Sequence, residues 1–499
     1  MKFTFLYLAL GYLAISTDRS NGQLLTTFNT PRWDPRGSTT KVDVGERLIL
    51  TPFIESGNIV QARQLARVNS DLFFNVTSYS GFLTVNEEKN SNLFFWFFPA
   101  KGTESLYDAD FDYDGEDEDT DYDHPYLKKL MKRPKVQDMT RSDDAKPVVL
   151  WLQGGPGSSS LFGLFTENGP FLINDDFASI RENPYSWHTK YSMLYIDNPV
   201  GTGFSFTRSD GYATNVTQIS KQLYSALTQF FDMFPLLQPN EFFIAGESYA
   251  GKYIPALGYE IYIQNRGGRR IINLQGIALG NALSDPYNMN DYSDFAYQTG
   301  LVGYLGYTEM RIFESLFKTH YDTEYAKSFW DATLHSFVRH SQYRNLYNIR
   351  DPYPVNLTIF RTFVELPEVR RAIHVGNQKF SDPSVVGVYL QPDFFNTAMH
   401  WTERLLDAGL RVMYYSGNLD FIIAHPLSQN AFHQMRWKGA SKYRIAERTP
   451  FVIDGKLKGY ITEVDNFVDA TILNAGHMAP TDQPEACLEL VDRFIRHSL

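Results

Sequence analysis

Glu241-Phe-Phe-Ile-Ala-Gly246-Glu247-Ser248-Tyr249-Ala250-Gly251-Lys252-Tyr253 is the stretch on which the reading of this chain turns. Phe242 to Ala245 is a short apolar run bounded by glycine, the pattern of a strand buried on both faces of a parallel sheet. Ser248 then stands among small residues, with Gly246 two positions before it and Ala250 and Gly251 after it. The spacing is a G-x-S-x-G variant in which Ala250 fills the second small position. It is the pattern of a nucleophile elbow, where a strand turns sharply into a helix and holds the serine in strain at the tip. Small residues there let strand and helix approach closely. Taken alone, the stretch fits equally well a glycine-rich turn with an ordinary surface serine.

The flanking sequence supplies the grammar of an α/β domain. Pro147-Val-Val-Leu-Trp-Leu152, Ser192-Met-Leu-Tyr-Ile196, Ile272 to Leu279, Arg411 to Tyr415 and the run entering Asn474 all read as buried strands. Between the second and the elbow strand, Ile219, Leu223, Leu227, Phe230, Phe231 and Phe234 fall at helical spacing and Pro235 ends the run. Ser78 to Val85 and Asn92 to Phe98 read as an antiparallel pair at the start of the sheet, and Gln61 to Val68 as a helix. From about 285 to 394 aromatic-rich helical segments take over, with Phe313, Phe317, Tyr321, Tyr325 and Phe329 as a stripe expected to be core packing. The predicted layout is a signal peptide at 1–16, a flexible lead-in at 17–50, a first core part at 51–284, a helical cap at 285–394 and a second core part at 395–499.

Length and composition fit one large domain: 499 residues, 43% apolar. Lys2, the apolar run Phe3 to Ile15 and Ala14-Ile-Ser16 read as a secretory signal, and no later run is long enough to span a bilayer. The only cysteine, Cys487, rules out an intrachain disulfide. Sequons at Asn75, Asn215 and Asn356 agree with a secretory route and glycosylation. The net charge of −11 has a local source, because eleven acidic residues and no Lys or Arg lie between Glu104 and Asp123. The remaining body is near neutral, which gives no footprint for nucleic acid. This acidic run belongs to an insertion over 102–145 with blocked charge and no periodicity, expected to be mobile. Asp110, Asp112, Asp114 and Gly115 start like a calcium loop, but Asp121 at the twelfth position and charged Asp117 at the eighth do not continue it. No metal and no organic cofactor is expected.

A serine hydroxyl needs a base to take its proton, and the base needs an acid to orient it. With an elbow nucleophile the chain order is serine, acid, histidine. Asp420, in Ser416-Gly-Asn-Leu-Asp420, and His477, in Ala475-Gly-His477-Met-Ala-Pro480, meet that order. His188, His374 and His425 are the nearest rivals and read as hydrogen-bonded structural histidines. Asp420 also fits the N-cap of a following helix.

At this point the sequence resembles the serine carboxypeptidases, most closely the vitellogenic carboxypeptidase-like branch, over nearly the whole mature chain. The residues that carry the resemblance are Trp151 to Gly157, Glu167-Asn-Gly-Pro170, Asp197 to Ser205, Gly246 to Gly251, Gly417-Asn-Leu-Asp420 and Gly476-His-Met478. It implies an α/β-hydrolase fold with a mixed, mostly parallel sheet and an inserted helical cap. It implies release of C-terminal residues from peptides and proteins through an acyl-enzyme, with an acidic optimum. By the same resemblance Ser248, Asp420 and His477 are the triad, the Gly155 and Tyr249 amides form the oxyanion hole, and Met478 lines the substrate pocket. Gln153, Gly154, Glu167 and Glu247 would hold the substrate carboxylate. Gln153 stands where many members have Asn, the disulfides common in the family are absent here, and the acidic insertion of this chain has no counterpart in the family's pattern. A secretory binding or storage glycoprotein is the competing reading, and the intact trio Ser248, Asp420 and His477 argues against it. The sequence leaves oligomeric state open and places the chain in the secretory pathway, secreted or endolysosomal.

Overall fold

The computed structural model describes residues 43–104, 146–268 and 272–499. The signal peptide, most of the lead-in and the acidic run therefore lie outside the described residues. Twelve strands occur among those described: β1 (Tyr79–Asn86), β2 (Ser91–Phe98), β3 (Val148–Leu152), β4 (Phe171–Ile173), β5 (Ile180–Glu182), β6 (Ser192–Ile196), β7 (Phe242–Glu247), β8 (Leu274–Gly280), β9 (Arg411–Gly417), β10 (Thr449–Ile453), β11 (Lys456–Val464) and β12 (Phe467–Ile472). Ten of them form one sheet in the order β1-β2-β6-β3-β7-β8-β9-β12-β11-β10, and β4 and β5 form a separate hairpin. The six central strands, β6 to β12 in that order, run parallel; β1 and β2 on one edge and β11 and β10 on the other are antiparallel.

Period-two alternation explains why the central strands read as continuous apolar runs. In β2, Leu93, Phe95 and Phe97 enter the core on one face of the sheet while Phe94, Trp96 and Phe98 enter the core on the other. Val148, Leu150 and Leu152 against Val149 and Trp151 divide β3 in the same way, and Phe242 and Ile244 against Phe243 and Ala245 divide β7. One core is closed by helices Val216–Met233 and Ala250–Arg266, the other by the amphipathic C-terminal helix Pro484–Ile495. Burial on both faces is what a crossover-connected parallel sheet requires.

Helices Tyr292–Gln298, Tyr304–Thr319 and Ala326–Ser341 and shorter ones to Leu390 are inserted between β8 and β9. Their Tyr292, Met310, Phe317, Trp330 and Phe337 share a core with the sheet, and the Phe337 ring stacks on Phe421 with centroids 3.7 Å apart. The aromatic stripe is core only in part, because Tyr325 is 55% exposed and Phe313 and Phe329 are half-buried.

Two boundaries differ from the sequence reading. The early helix is Ile59–Ala66, ending two residues before Val68 because Arg67 turns extended and the Val68 N–H bonds Ser78 O at 2.9 Å. The lead-in does not stay loose up to residue 50. Leu48 and Leu50 exchange backbone hydrogen bonds with Phe82 of β1, and the buried Leu50 side chain pulls this segment onto the sheet. The chain leaves for the acidic insertion next to Ser192, whose Oγ accepts the Ala100 N–H, and returns where Ser192 N–H meets Pro147 O. Both anchors sit at the amino ends of the parallel strands.

Candidate active site

β6 and β7 flank β3 on opposite sides, so the strand order reverses there, and loops after neighbouring parallel strands gather at such a switch point. Gln153 to Gly155 follow β3, Ser248 follows β7, Asn281 follows β8, Asp420 lies in the loop after β9 and His477 in the loop after β12. These five strands are consecutive in the sheet, so residues spread over 325 positions of sequence share one edge.

Ser248 has a φ of 61°, the left-handed conformation of a strained elbow, worth roughly 1–3 kcal/mol in a non-glycine residue. Its N–H bonds Gly280 O at 3.1 Å, and its carbonyl accepts from Gly251 and Leu283, which fixes the turn. Close approach explains the neighbouring glycines. A Cβ on Gly246 would stand 2.1 Å from Leu152 O, and one on Gly154 would stand 2.4 Å from Tyr249 N and 2.6 Å from Ser248 Cβ. Among the described residues, neither the Gly155 nor the Tyr249 N–H is committed to a protein acceptor.

His477 is 2% exposed, and its Nδ1–H donates to Asp420 Oδ2 at 2.8 Å. Its Nε2 is buried and has no partner among the described residues. Asp420, fully buried, also accepts from Asn281 Nδ2 at 2.7 Å on the same oxygen and from the Ile423 N–H at 3.3 Å on the other. The cap-like bond expected of Asp420 is thus made alongside the bond to the histidine. A segment of the inserted region, Leu346 to Ile349, ties the two loops together. Leu346 O accepts from Phe421 and Ile422, Ile349 N–H donates to Leu419 O, and Tyr347 O accepts the His477 N–H at 2.7 Å. The Tyr347 ring packs edge-on against the imidazole at 4.8 Å.

The second cluster is acidic. Gln153 Nε2 donates to Glu247 Oε1 at 2.5 Å, and the Gln153 oxygen is occupied by the Trp151 indole N–H at 3.0 Å. The longer side chain at 153 therefore reaches its carboxyl neighbour. Glu167 caps the end of helix Leu161–Thr166 and is 2% exposed. Among the described residues neither Glu167 oxygen meets a donor at full hydrogen-bond geometry, though Gln153 and Glu247 lie beside it; a single proton shared with Glu247 provides one. Burial pushes Glu167 up to about 8. Burial and then the facing Glu167 hold Glu247 well above the ordinary carboxyl range.

His188, His374 and His425 each have structural neighbours, Ser186, Ser80 and Thr471, and burial lowers all three. Met478 follows His477 and is 7% exposed. Asp197, raised to about 7 by burial, accepts from the Ser159 hydroxyl at 2.5 Å and from the Ser160 and Phe204 N–H groups, so it pins the loops after β3 and β6. Asn281, Tyr347 and the orienting bond from Trp151 are the site features that sequence reasoning missed. The sequence signal of Asn281 is a polar residue directly after a buried strand and before Ala-Leu. No group of three or more His, Cys, Asp or Glu among the described residues is arranged to hold a metal ion.

Sheet and crossovers are those of an α/β hydrolase. The solved structure of Kex1(delta)p, a prohormone-processing carboxypeptidase from Saccharomyces cerevisiae, superposes with a TM-score of 0.71 at 20% identity, covering 87% of this chain and 96% of that one. A family model described as serine carboxypeptidase matches residues 135–497. Relatives include the venom serine carboxypeptidase of Apis mellifera, 39% identical over 91% of each chain, and the probable serine carboxypeptidase CPVL of Homo sapiens, 39% identical over 95% of this chain and 94% of that one. The vitellogenic carboxypeptidase of Aedes aegypti is 35% identical over 94% and 96%. The chain belongs to the serine carboxypeptidase family, and it is a serine-type carboxypeptidase, a hydrolase of the exopeptidase kind.

Proposed function

We propose that Ser248 attacks the last peptide bond of a peptide or protein substrate, with His477 as base and Asp420 as its orienting acid. The Ser248 proton passes to Nε2 of His477 as Oγ bonds the carbonyl carbon, and the oxyanion lies against the Gly155 and Tyr249 N–H groups. Collapse of the tetrahedral intermediate returns the proton to the leaving amine and leaves an acyl-enzyme, which water hydrolyses by the same route. The observation that carries the reading is the His477–Asp420 bond, with Nε2 left free, on the edge where Ser248 is held at a positive φ.

The acidic cluster gives the exopeptidase restriction its chemistry. A neutral carboxyl donates a hydrogen bond to the substrate's terminal carboxylate, whereas two ionised glutamates repel it. Gln153 and the Gly154 amide complete the latch, and Met478 borders the pocket. Because Glu167 keeps its proton up to about 8 and His477 must be unprotonated to act, the enzyme works in acid to neutral solution. That agrees with the secretory pathway, secreted or endolysosomal, as do the exposed sequons Asn75 and Asn356 and Asn215, whose Oδ1 caps helix Val216–Met233. Among the described residues no helix is long and apolar enough to cross a membrane.

An organophosphonate probe should label Ser248 in the wild-type protein and fail on Ser248→Ala. Labelling that persists in Ser248→Ala, or a variant with wild-type peptidase rate, would remove Ser248 from the reaction.

A further inference from the structure

We propose that Lys252 is a positioning residue that sets which side chain is accepted before the cleaved bond: it clamps the main chain at Asp393-Phe394 and so holds the Phe394 ring as a wall beside Tyr249. The inference rests on the catalytic reading of Ser248 above, and it concerns the acyl half of the substrate, which the carboxylate latch does not touch.

Lys252 stands in the first turn of helix Ala250–Arg266, three positions after Tyr249, so the two side chains share a face. A cation there is disfavoured twice, because the helix dipole already places positive charge at that end and because the side chain is only 1% exposed. What compensates comes from one short segment of the inserted region. The ammonium donates to Asp393 O and, at 3.0 Å, to Phe394 O, and the Asp393 carboxylate lies 3.7 Å away. Its charge also lies over the Tyr249 ring, 5.1 Å from the centroid. Burial lowers Lys252 to about 8, which leaves it charged in the acid to neutral range of activity.

The clamped segment is the one that brings Phe394 to the elbow. Phe394 is half-buried, and its ring centroid is 5.4 Å from that of Tyr249. Asp393 ties the segment down from its other side, since Oδ2 accepts the Val216 N–H at 3.1 Å and Oδ1 accepts Asn396 Nδ2 at 2.7 Å. Removing the lysine leaves two buried carbonyls without their donor and frees the backbone on which the ring is carried.

Placement decides what the wall faces. The latch belongs to one face of the sheet: Trp151, which orients Gln153, and Phe162 and Phe165, from the helix that ends at Glu167, share a core with Met478. Tyr249 lies in the core of the other face, and Phe394 packs against that core. Ser248 sits at the elbow between the two. A peptide whose terminal carboxylate is held on the first side therefore offers the residue before its cleaved bond to the second, where the Phe394 ring stands backed by Tyr249. An aromatic wall at that point favours apolar bulk.

The test compares N-blocked dipeptides that share a C-terminal residue and carry phenylalanine, leucine, alanine or glycine before it. Wild type, Lys252→Met and Lys252→Gln are measured, with melting temperatures as the folding control. Wild type should favour phenylalanine over glycine in kcat/KM. In Lys252→Met that ratio should fall about tenfold, while the glycine substrate keeps its rate within about threefold. Lys252→Gln keeps a donor for the carbonyls and should show a smaller fall in the same direction. Phe394→Ala should lower the ratio as well, and adding Lys252→Met to it should lower it little further. A merely structural lysine predicts a loss shared equally by all four substrates. An equal loss, an unchanged ratio in a folded lysine variant, or a wild type indifferent to the four side chains overturns the proposal, and Lys252→Gln decides if the methionine variant does not fold. Organophosphonate labelling keeps the two readings apart: a Ser248 that is not labelled in wild type removes the catalytic reading, whereas a labelled Ser248 with an unchanged ratio removes only the clamp.

Discussion

Asp420 and Glu167 are both carboxyls buried at the same edge of the sheet, 0% and 2% exposed, yet among the described residues Asp420 accepts three hydrogen bonds and neither Glu167 oxygen meets a donor at full hydrogen-bond geometry. A buried charge is tolerated where donors replace water, and a buried charge without them is avoided by keeping the proton. Asp420 is supplied with its donors before any substrate arrives. Glu167 and Glu247 are instead an unfinished pair whose charge depends on pH and whose missing partner is supplied from outside. One edge of one sheet thus carries a cluster organised for proton transfer and a cluster organised for ligand capture.

The largest expected effect breaks the first cluster alone. His477→Ala or Ser248→Ala should lower kcat on the order of 10⁴-fold or more, with KM within a few fold, and the double variant should lose little beyond either single one. Steady-state kinetics in which the loss appeared in KM would merge the two clusters. Gly154→Ala strikes the seam between them, because its Cβ would collide with Tyr249 N and Ser248 Cβ. A fall of about a hundredfold in kcat/KM is expected, the scale of a displaced oxyanion donor, together with a lower melting temperature.

Stability should separate the clusters by sign. The folded state holds the Glu167 proton from its ordinary 4.5 up to about 8 while the unfolded chain releases it, so this contribution is present in acid and drains as pH rises through that window. The melting temperature of wild type relative to Glu247→Gln should fall between pH 5 and 8. Parallel curves for the two proteins would mean that the carboxyls do not share a proton. The smallest effect belongs to the acidic insertion, whose anchors are at the amino ends of the strands, opposite the site. Replacing residues 105–145 with a short Gly/Ser linker should leave kcat/KM on a small peptide within about twofold.

The same contrast describes what the sequence made legible. The strands, the elbow and the Asp420 and His477 loops could be read because each is local: a short apolar run, then glycine, then one polar residue. Glu167 and Glu247 came from the resemblance, and that they face each other follows only from the fold. Tyr347 has nothing in its own neighbourhood to mark it, because its role arises from a contact 130 positions away along the chain, and Asn281, though it directly follows a buried strand, takes its role from a contact 139 positions away. The aromatic stripe of the inserted helices misled in part because periodicity reports a face and not its cover, and Tyr325 remains exposed at a helix start.

The capture cluster is tested most directly by measuring KM from pH 4 to 9 for a peptide and for its C-terminal amide, in wild type and in Glu247→Gln. For wild type, KM of the free acid should climb as the pair loses its proton toward pH 8 and above while KM of the amide stays flat, and Glu247→Gln should flatten the free-acid curve. A free-acid KM that is independent of pH and equal to that of the amide would contradict the account.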